Sequence, residues 1–452
     1  MMDSLQSLRR FAAIVVCSAA ALVVAIGSAE ALPSYARQTG QQCAACHNGF
    51  PELTPYGRLF KLNGYTFGGG QSDLPPLAVM VVEDYTHTQA GQSGGAAAHY
   101  GPNNNFALDT ASIFYGGRIL GDYGVGAFAQ ATYNDVPRSF HWDNSDLRWA
   151  HAMTINGDET VFGVSLNNNP TVSDLWNTTP AWRFPFVASP GLAPTPSSKT
   201  FIEGTYSQQV LGLTAYGFWR RLVYVEAGGY RTLSQSLDSS LGIHPNGTDS
   251  FGGIAPYWRL AVQPQWGPNS LEIGTFGMVA NVNPGRVTGF GTDDKTDLGF
   301  DVQYQYLTDV HSGSVQASWI SEHQNLNSTF TQGSSSNLND QLHSFNLKAS
   351  YYYKQTYGAT LGYSRIQGSG DPGLYGSTSP IANSPNSDWW TAEADYMPFN
   401  HGGPDFWPWA NLKLGLQYVW YTKFDGAVTN YDGNGRNASD NNTLFAFVWL
   451  AF

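Results

Sequence analysis

The sequence predicts a mainly β fold, a transmembrane antiparallel β-barrel of about sixteen strands that carries a small N-terminal α-helical domain. Three observations predict it. The 452 residues are 14% aromatic but only 12% charged, with 50 glycines, a balance suited to a chain that faces lipid with every second residue and fills its loops with small polar groups. From Leu77 onward, segments of about ten residues alternate apolar and polar. The connections between those segments alternate short and long, as they do when hairpins turn tightly on one side of a membrane and loop widely on the other.

The elements follow in order. Arg9 and Arg10 precede an apolar stretch from Phe11 to Gly27, and Ala29-Glu30-Ala31 forms a small-x-small processing site, so residues 1–31 are predicted to be a signal peptide and the exported chain to begin at Leu32. Beyond Leu32 there is no apolar run of the length a membrane helix needs. Residues 32–75 form the small domain. Within it, Thr54-Pro55 reads as an N-cap with proline in the first turn, starting a helix through Lys61 that ends at Asn63-Gly64.

Residues 76–452 form the barrel. Strands are predicted to start near residues 77, 105, 123, 147, 159, 209, 222, 256, 269, 296, 311, 341, 357, 388, 410 and 441. The clearest alternation is Leu298, Phe300, Val302, Tyr304 and Tyr306 against Asp301, Gln303 and Gln305. Short turns are expected at Gly121-Asp122, Asn156-Gly157-Asp158, Gly267-Pro268-Asn269 and Gln355-Thr356. Long polar loops are expected at 90–104, 135–146, 170–200, 234–255, 283–295, 326–340, 369–387 and 425–440. The last strand ends on Phe452 after alternating Ala446, Val448 and Leu450, and a terminal aromatic resembles the signal by which outer-membrane barrels are recognised. Short turns on the periplasmic side place the N-terminal domain in the periplasm or in the lumen. The net charge of −12 excludes nucleic acid as a natural partner.

Cys43-Ala44-Ala45-Cys46-His47 is the attachment pattern of haem c. Each thiol can form a thioether to a vinyl group, and the adjacent imidazole then lies under the ring as proximal iron ligand. The chain has three cysteines; the third, Cys17, lies in the leader, so no second pair exists to complete a zinc site. Leu59, Phe60 and Leu62 are candidates to lie on the porphyrin. Residues 32–75 are too few to enclose a haem alone, so the barrel wall must complete the pocket.

Around the motif, Ala36-Arg37-Gln38-Thr39-Gly40, Pro51-Glu52-Leu53-Thr54-Pro55-Tyr56-Gly57-Arg58 and Phe60-Lys61-Leu62-Asn63-Gly64-Tyr65 resemble the fused monohaem cytochrome c-porins of iron-oxidising bacteria. The local likeness covers residues 36–65; elsewhere it is architectural. It implies one covalent haem c in the bacterial outer membrane and activity as a ferrous-iron oxidase. The donor would be extracellular Fe(II), or another extracellular donor, and the acceptor a periplasmic c-type cytochrome or similar carrier. A diffusion porin with a haem-bearing plug is the reading of a different class.

For the sixth iron ligand, the candidates are Met80, Met397 and His87. A methionine raises the potential relative to a second histidine, and Met397 shares a lumenal face with Thr391, Glu393 and Asp395. Asp135, Asp143, Asp146, Asp249, Asp293, Asp294, Asp432 and Asp440 are expected on outer loops, where they would attract cations. The 170–200 loop, with Trp176, Trp182, Phe184 and Phe186, is a candidate to fold inward and narrow the pore. No nucleophile-base pattern, phosphate loop or paired-carboxylate site stands out.

Overall fold

The computed structural model describes residues 33–68, 75–179, 184–243, 249–401 and 410–452. The expected signal peptide and Trp182 lie outside them. The sheet is a closed antiparallel barrel of sixteen long strands. In chain order these are β1 (Leu77–Thr88), β2 (Asn105–Leu120), β3 (Val125–Asn134), β4 (Ser139–Ile155), β5 (Asp158–Asn167), β6 (Val210–Trp219), β7 (Val223–Thr232) and β8 (Ala255–Val262), followed by β9 (Asn269–Asn283), β10 (Asp293–Leu307), β11 (His311–Asn325), β12 (Asn339–Tyr353), β13 (Tyr357–Gly368), β14 (Ser387–Tyr396), β15 (Asn411–Lys423) and β16 (Thr443–Ala451). The two-residue segments Ser250–Phe251 and Gln265–Trp266 pair with β9 on either side of β8 and continue its line.

Closure comes from β1, which pairs with β2 on one side and with β16 on the other, from Met80↔Ala451 to Thr88↔Thr443. No long edge is left to template aggregation. Each strand neighbours the next in sequence apart from this closing pair, so the barrel is a simple up-and-down meander. The Asn156-Gly157 turn shows the local chemistry: both residues take positive φ (52° and 89°), the conformation that lets a two-residue turn follow the twist of β4 and β5.

The two faces of the wall are inverted relative to a water-soluble protein. On β10, Phe300 is 50% exposed while Asp301 is 5% exposed, and Leu298, Tyr304 and Tyr306 point outward while Asp297, Gln303 and Gln305 are buried. An apolar exterior over a polar interior is the signature of a barrel in lipid.

One strand departs from expectation. β4 begins at Ser139 and not near 147, so the expected long loop at 135–146 is a tight turn at 135–138. The strand carries a bulge opposite Ala129 to Ala131, which breaks the period of two, and its inward residues Asn144, Asp146 and Arg148 are polar. Asp143 and Asp146 are therefore wall residues and not loop residues. Asp293 is likewise buried at the start of β10, where its carboxylate accepts from the backbone of Ser328 and Thr329. Asp249 accepts from Tyr206 and from the Gly285 amide.

The long connection between β5 and β6 does fold inward. Trp176 is buried between the wall and its own loop, donating Nε1 to Gln263 at 2.7 Å, while its carbonyl accepts from Gln303 and Gln316. Arg259 lies 4.9 Å over the Trp176 ring. It also pairs with Asp301, and with Asp174 at 3.4 Å. Further along, the amides of Phe201 and Ile202 donate to Glu322 and Asp297. The loop is thus fastened to strands on the far side of the lumen.

Candidate functional site

Three short helices precede the barrel: α1 (Pro33–Thr39), α2 (Cys43–Cys46) and α3 (Pro55–Leu62). The single turn of α2 holds both cysteines, and the His47 amide closes it by donating to the Cys43 carbonyl at 2.9 Å. Thr54 then ties α3 to α2. Its amide donates to the Cys46 carbonyl at 2.9 Å and its hydroxyl to the Ala45 carbonyl at 2.6 Å, while the same oxygen caps the helix by accepting from the Gly57 amide. Gly57 is required by this packing, since a Cβ there would lie 2.2 Å from the Cys46 carbonyl oxygen. The helix ends at Asn63, and Gly64 takes the left-handed conformation (φ 66°), in agreement with the sequence pattern.

The segment lies inside the barrel at the end where the turns are short. Arg58, fully buried, donates to Gln303 and Gln305 on β10 (2.9 and 3.0 Å) and to Ser270 on β9. Glu52 accepts from Gln305 at 2.6 Å and from Ser314 on β11 at 2.8 Å. The Gly49 amide donates to Gln355 in the turn after β12, the Ala44 amide to the Asn400 carbonyl after β14, and Tyr65 to Asp146 on β4. Tyr216 on β6 donates to the Leu62 carbonyl at 2.6 Å. Contacts on so many strands make the segment a plug. Burial pushes the Glu52 carboxyl above its usual range, and removing one member of such a buried charged network typically costs about 3–5 kcal/mol.

Between plug, wall and inward loop lies a cavity of about 360 Å³. Cys46, His47, Phe50, Phe60, Lys61 and Met80 line it, and so do Asp109, Gln130, His141, Asp143 and Asp174. The His47 ring is held in one tautomer. Its Nδ1 lies 2.9 Å from the Pro51 carbonyl, an acceptor only, so Nδ1 carries the proton and Nε2 the lone pair. Burial lowers the His47 pKa to about 4, which keeps the ring neutral. Phe50 packs edge-on against His47 at 5.2 Å and against Trp449 of β16 at 5.0 Å.

The two thiols are not joined in a disulfide. Burial raises them to about 11 for Cys43 and about 12 for Cys46, so neither is poised as a thiolate nucleophile. Among the described residues no group of three or more His, Cys, Asp or Glu is arranged to hold a metal ion. A neutral imidazole with its Nδ1 proton committed, two thiols free of disulfide within one helical turn and an adjoining cavity fit a covalently attached haem.

The structure separates the candidates for the sixth ligand. Met80 faces inward on β1 and lines the same cavity as His47. Met397 is fully buried in the apolar cluster of Phe50, Tyr352, Phe445 and Phe447, against which Met80 also packs. His87 is not brought there: it alternates with Glu83 and Tyr85, opposite the buried Asp84, Thr86 and Thr88, and its Nδ1 pairs with Asn104. Of the expected porphyrin-facing residues, Phe60 lines the cavity, whereas Leu59 and Leu62 pack against Ala150, Val161 and Trp176. The helix presents Gly57, Phe60 and Lys61 to the cavity, at spacings of three and four that share one face.

Sequence reasoning missed Phe50, Trp449, Lys61 and Tyr35. The spacing of Lys61 from Gly57 was available as a signal; Trp449 and Phe50 meet only through barrel closure.

No family model matches the chain, and no curated protein matches it. Its fold is similar to solved outer-membrane channels. The channel DcaP of Acinetobacter baumannii shares 12% identity at a TM-score of 0.44, covering 85% of this chain and 99% of that one. An anion-selective porin from Comamonas acidovorans shares 13% at 0.40, covering 83% and 98%. OmpT of Vibrio cholerae, in its trimer form, shares 10% at 0.42, covering 83% and 98%. The likeness is one of barrel architecture. The wall's apolar exterior and polar interior make this chain a transmembrane β-barrel.

Proposed function

We propose that the protein is an outer-membrane electron-transfer protein with one covalent haem c, held through thioethers by Cys43 and Cys46 and ligated by His47, with Met80 as sixth ligand. The observation that carries the reading is the cavity in which Cys46, His47 and Met80 meet, with the His47 Nδ1 proton committed to the Pro51 carbonyl. Bound there, the haem supplies a one-electron ferric/ferrous couple.

The chain's own residues supply the rest. Pro51 fixes the imidazole tautomer and orientation, as carbonyl acceptors do for metal-ligating histidines. Phe50, Phe60, Phe114, Phe128 and Trp449 give the cavity apolar lining, which favours the less charged ferrous state. Asp109, Asp143 and Asp174 line the cavity as well, and a low-dielectric cleft lined by carboxylates concentrates cations. That favours a cationic donor over an anionic one and supports extracellular Fe(II), which loses one electron to become Fe(III). The electron leaves on the short-turn side, where a periplasmic carrier such as a c-type cytochrome would accept it.

Two measurements test this. A pyridine haemochrome assay on purified protein should give one haem per chain, abolished in the double substitution Cys43→Ala, Cys46→Ala. Anaerobic mixing of the oxidised protein with Fe(II) should bring up the reduced absorption bands. Haem that stays oxidised, in a protein that conducts small solutes across planar bilayers, would replace this reading with a diffusion porin bearing a haem plug.

A further inference from the structure

The cavity has a single point of positive charge. Lys61 is the one Lys or Arg among the described residues that line it. Its ammonium donates to the Val172 carbonyl. The carboxylates around it are already engaged: Asp146 takes Arg148, Tyr65 and Ser165, Asp174 takes Arg259 and the Thr178 and Thr179 side chains, and Glu226 takes Thr214 and Tyr224. An ammonium has three donors, and burying it against one carbonyl is costly without an anion. Burial accordingly draws Lys61 down to about 8.

A second donor lines the same cavity. The Tyr35 hydroxyl is buried and has no hydrogen-bond partner. Its ring stacks on Tyr65 at 5.6 Å with 4° between planes, and Tyr65 in turn donates to Asp146. Lys61 and Tyr35 therefore share one neighbourhood, next to the Asp146–Arg148 pair.

The chemistry of the expected group matches these two donors. Thioether attachment at Cys43 and Cys46 uses the vinyl groups and His47 takes the iron, which leaves two ionised propionates at the edge of the ring. Asp109 and Asp143, which line the cavity as well, repel them. We propose that Lys61 and Tyr35 receive the haem propionates, Lys61 as counter-cation and Tyr35 as neutral donor, an assignment that rests on the haem reading above. Both are positioning residues that act on the iron through the carboxylates.

The test uses the full-length protein purified in detergent, with Lys61→Met, Lys61→Arg, Tyr35→Phe and, as comparison, Trp449→Phe, whose indole Nε1 is the other buried donor of the cavity without a partner. Haem content, heat-modifiable gel mobility of the barrel and the midpoint potential by spectroelectrochemical titration are read on each. Removing a fixed cation beside the propionates stabilises the ferric state, so Lys61→Met should titrate at a lower potential than wild type. Tyr35→Phe should shift the same way by less, and Lys61→Arg should restore the wild-type value. Haem loss in a folded Lys61→Met barrel, restored by Lys61→Arg, supports the assignment equally. An unchanged potential in Lys61→Met, a failure of Lys61→Arg to restore haem or potential, or a shift confined to Trp449→Phe overturns it. A wild-type protein without haem overturns the parent reading instead, which haem content alone reveals.

Discussion

Replacing Gly57 with alanine sets two effects of opposite sign against each other. Gly57 is in the first turn of α3, and alanine is favoured over glycine in a helix by about 1 kcal/mol. If the helix were a free surface element, Gly57→Ala would stabilise the plug. The alanine Cβ, however, would lie 2.2 Å from the Cys46 carbonyl oxygen, 3.0 Å from its carbon and 3.1 Å from Leu53 Cδ2. The first of these is more than an ångström inside ordinary contact, and it is backbone, so no rotamer change relieves it. Overpacking of this kind costs roughly 1–3 kcal/mol. Relief requires α3 to move away from α2, yet α3 is held on its other faces by Arg58 in the wall and by Leu59 and Leu62 against Trp176. The clash should win, with a net loss of up to about 2 kcal/mol, enough to change a two-state ratio by a factor of up to about 30.

The assay is haem per chain together with protease resistance of the plug, on protein whose heat-modifiable mobility shows a closed barrel. Gly57→Ala should lower both, while Gly253→Ala, where a Cβ meets nothing within 4 Å, should lower neither. A Gly57→Ala protein with full haem and equal or greater protease resistance would refute the close approach of α2 and α3 and, with it, the geometry of the site.

Other expectations follow from the same contacts. Met80→Leu should abolish methionine–iron charge-transfer absorption and lower the midpoint potential, whereas Met397→Leu should leave both in place; the reverse pattern would transfer the ligand role to Met397. Arg58→Met removes one of the cations near the buried Glu52 and should loosen the plug, raising single-channel conductance in planar bilayers severalfold; unchanged conductance would show that the inward loop alone closes the lumen. The double substitution Asp109→Asn, Asp143→Asn should slow reduction by Fe(II) several-fold and flatten its dependence on ionic strength, and an unaltered rate would remove these carboxylates from the donor's path.

Most of the barrel was legible because lipid outside and polar groups inside impose a period of two on every strand, and the breaks in that period fall where turns do. The predicted starts at 77, 105, 269, 311 and 357 are the observed ones. β4 was not legible in its first half because a bulge shifts the alternation and because Asn144, Asp146 and Arg148 are buried as partners of the plug and inward loop. Nothing local distinguishes an aspartate in a solvated loop from one that faces a filled lumen. At the site, Cys43, Cys46, His47 and the caps of α3 were visible as a contiguous pattern. Met80 could not be ranked above His87 until the strand's pairing with β16 and its burial pattern fixed which parity faces inward.

The inverted wall also explains why the plug is more than an appendage. Gln303, Gln305, Ser270 and Ser314 read in sequence as water-facing, but in the structure they are buried, and a buried amide or hydroxyl without a partner is unfavourable. Arg58 and Glu52 supply those partners from one short segment, and Trp176 supplies carbonyl acceptors to Gln303 and Gln316 from the inward loop. The same side chains would be equally satisfied by water in an open pore. The wall polarity is therefore compatible with both a wet channel and a filled one. What selects the filled state is the apolar part of the interface, where Phe50 meets Trp449 and Leu59 and Leu62 meet Trp176, surfaces that water cannot serve. Those contacts hold His47 against the cavity, so the placement of the site is decided by a few aromatic and leucine side chains, with the abundant polar bonds giving register more than driving force.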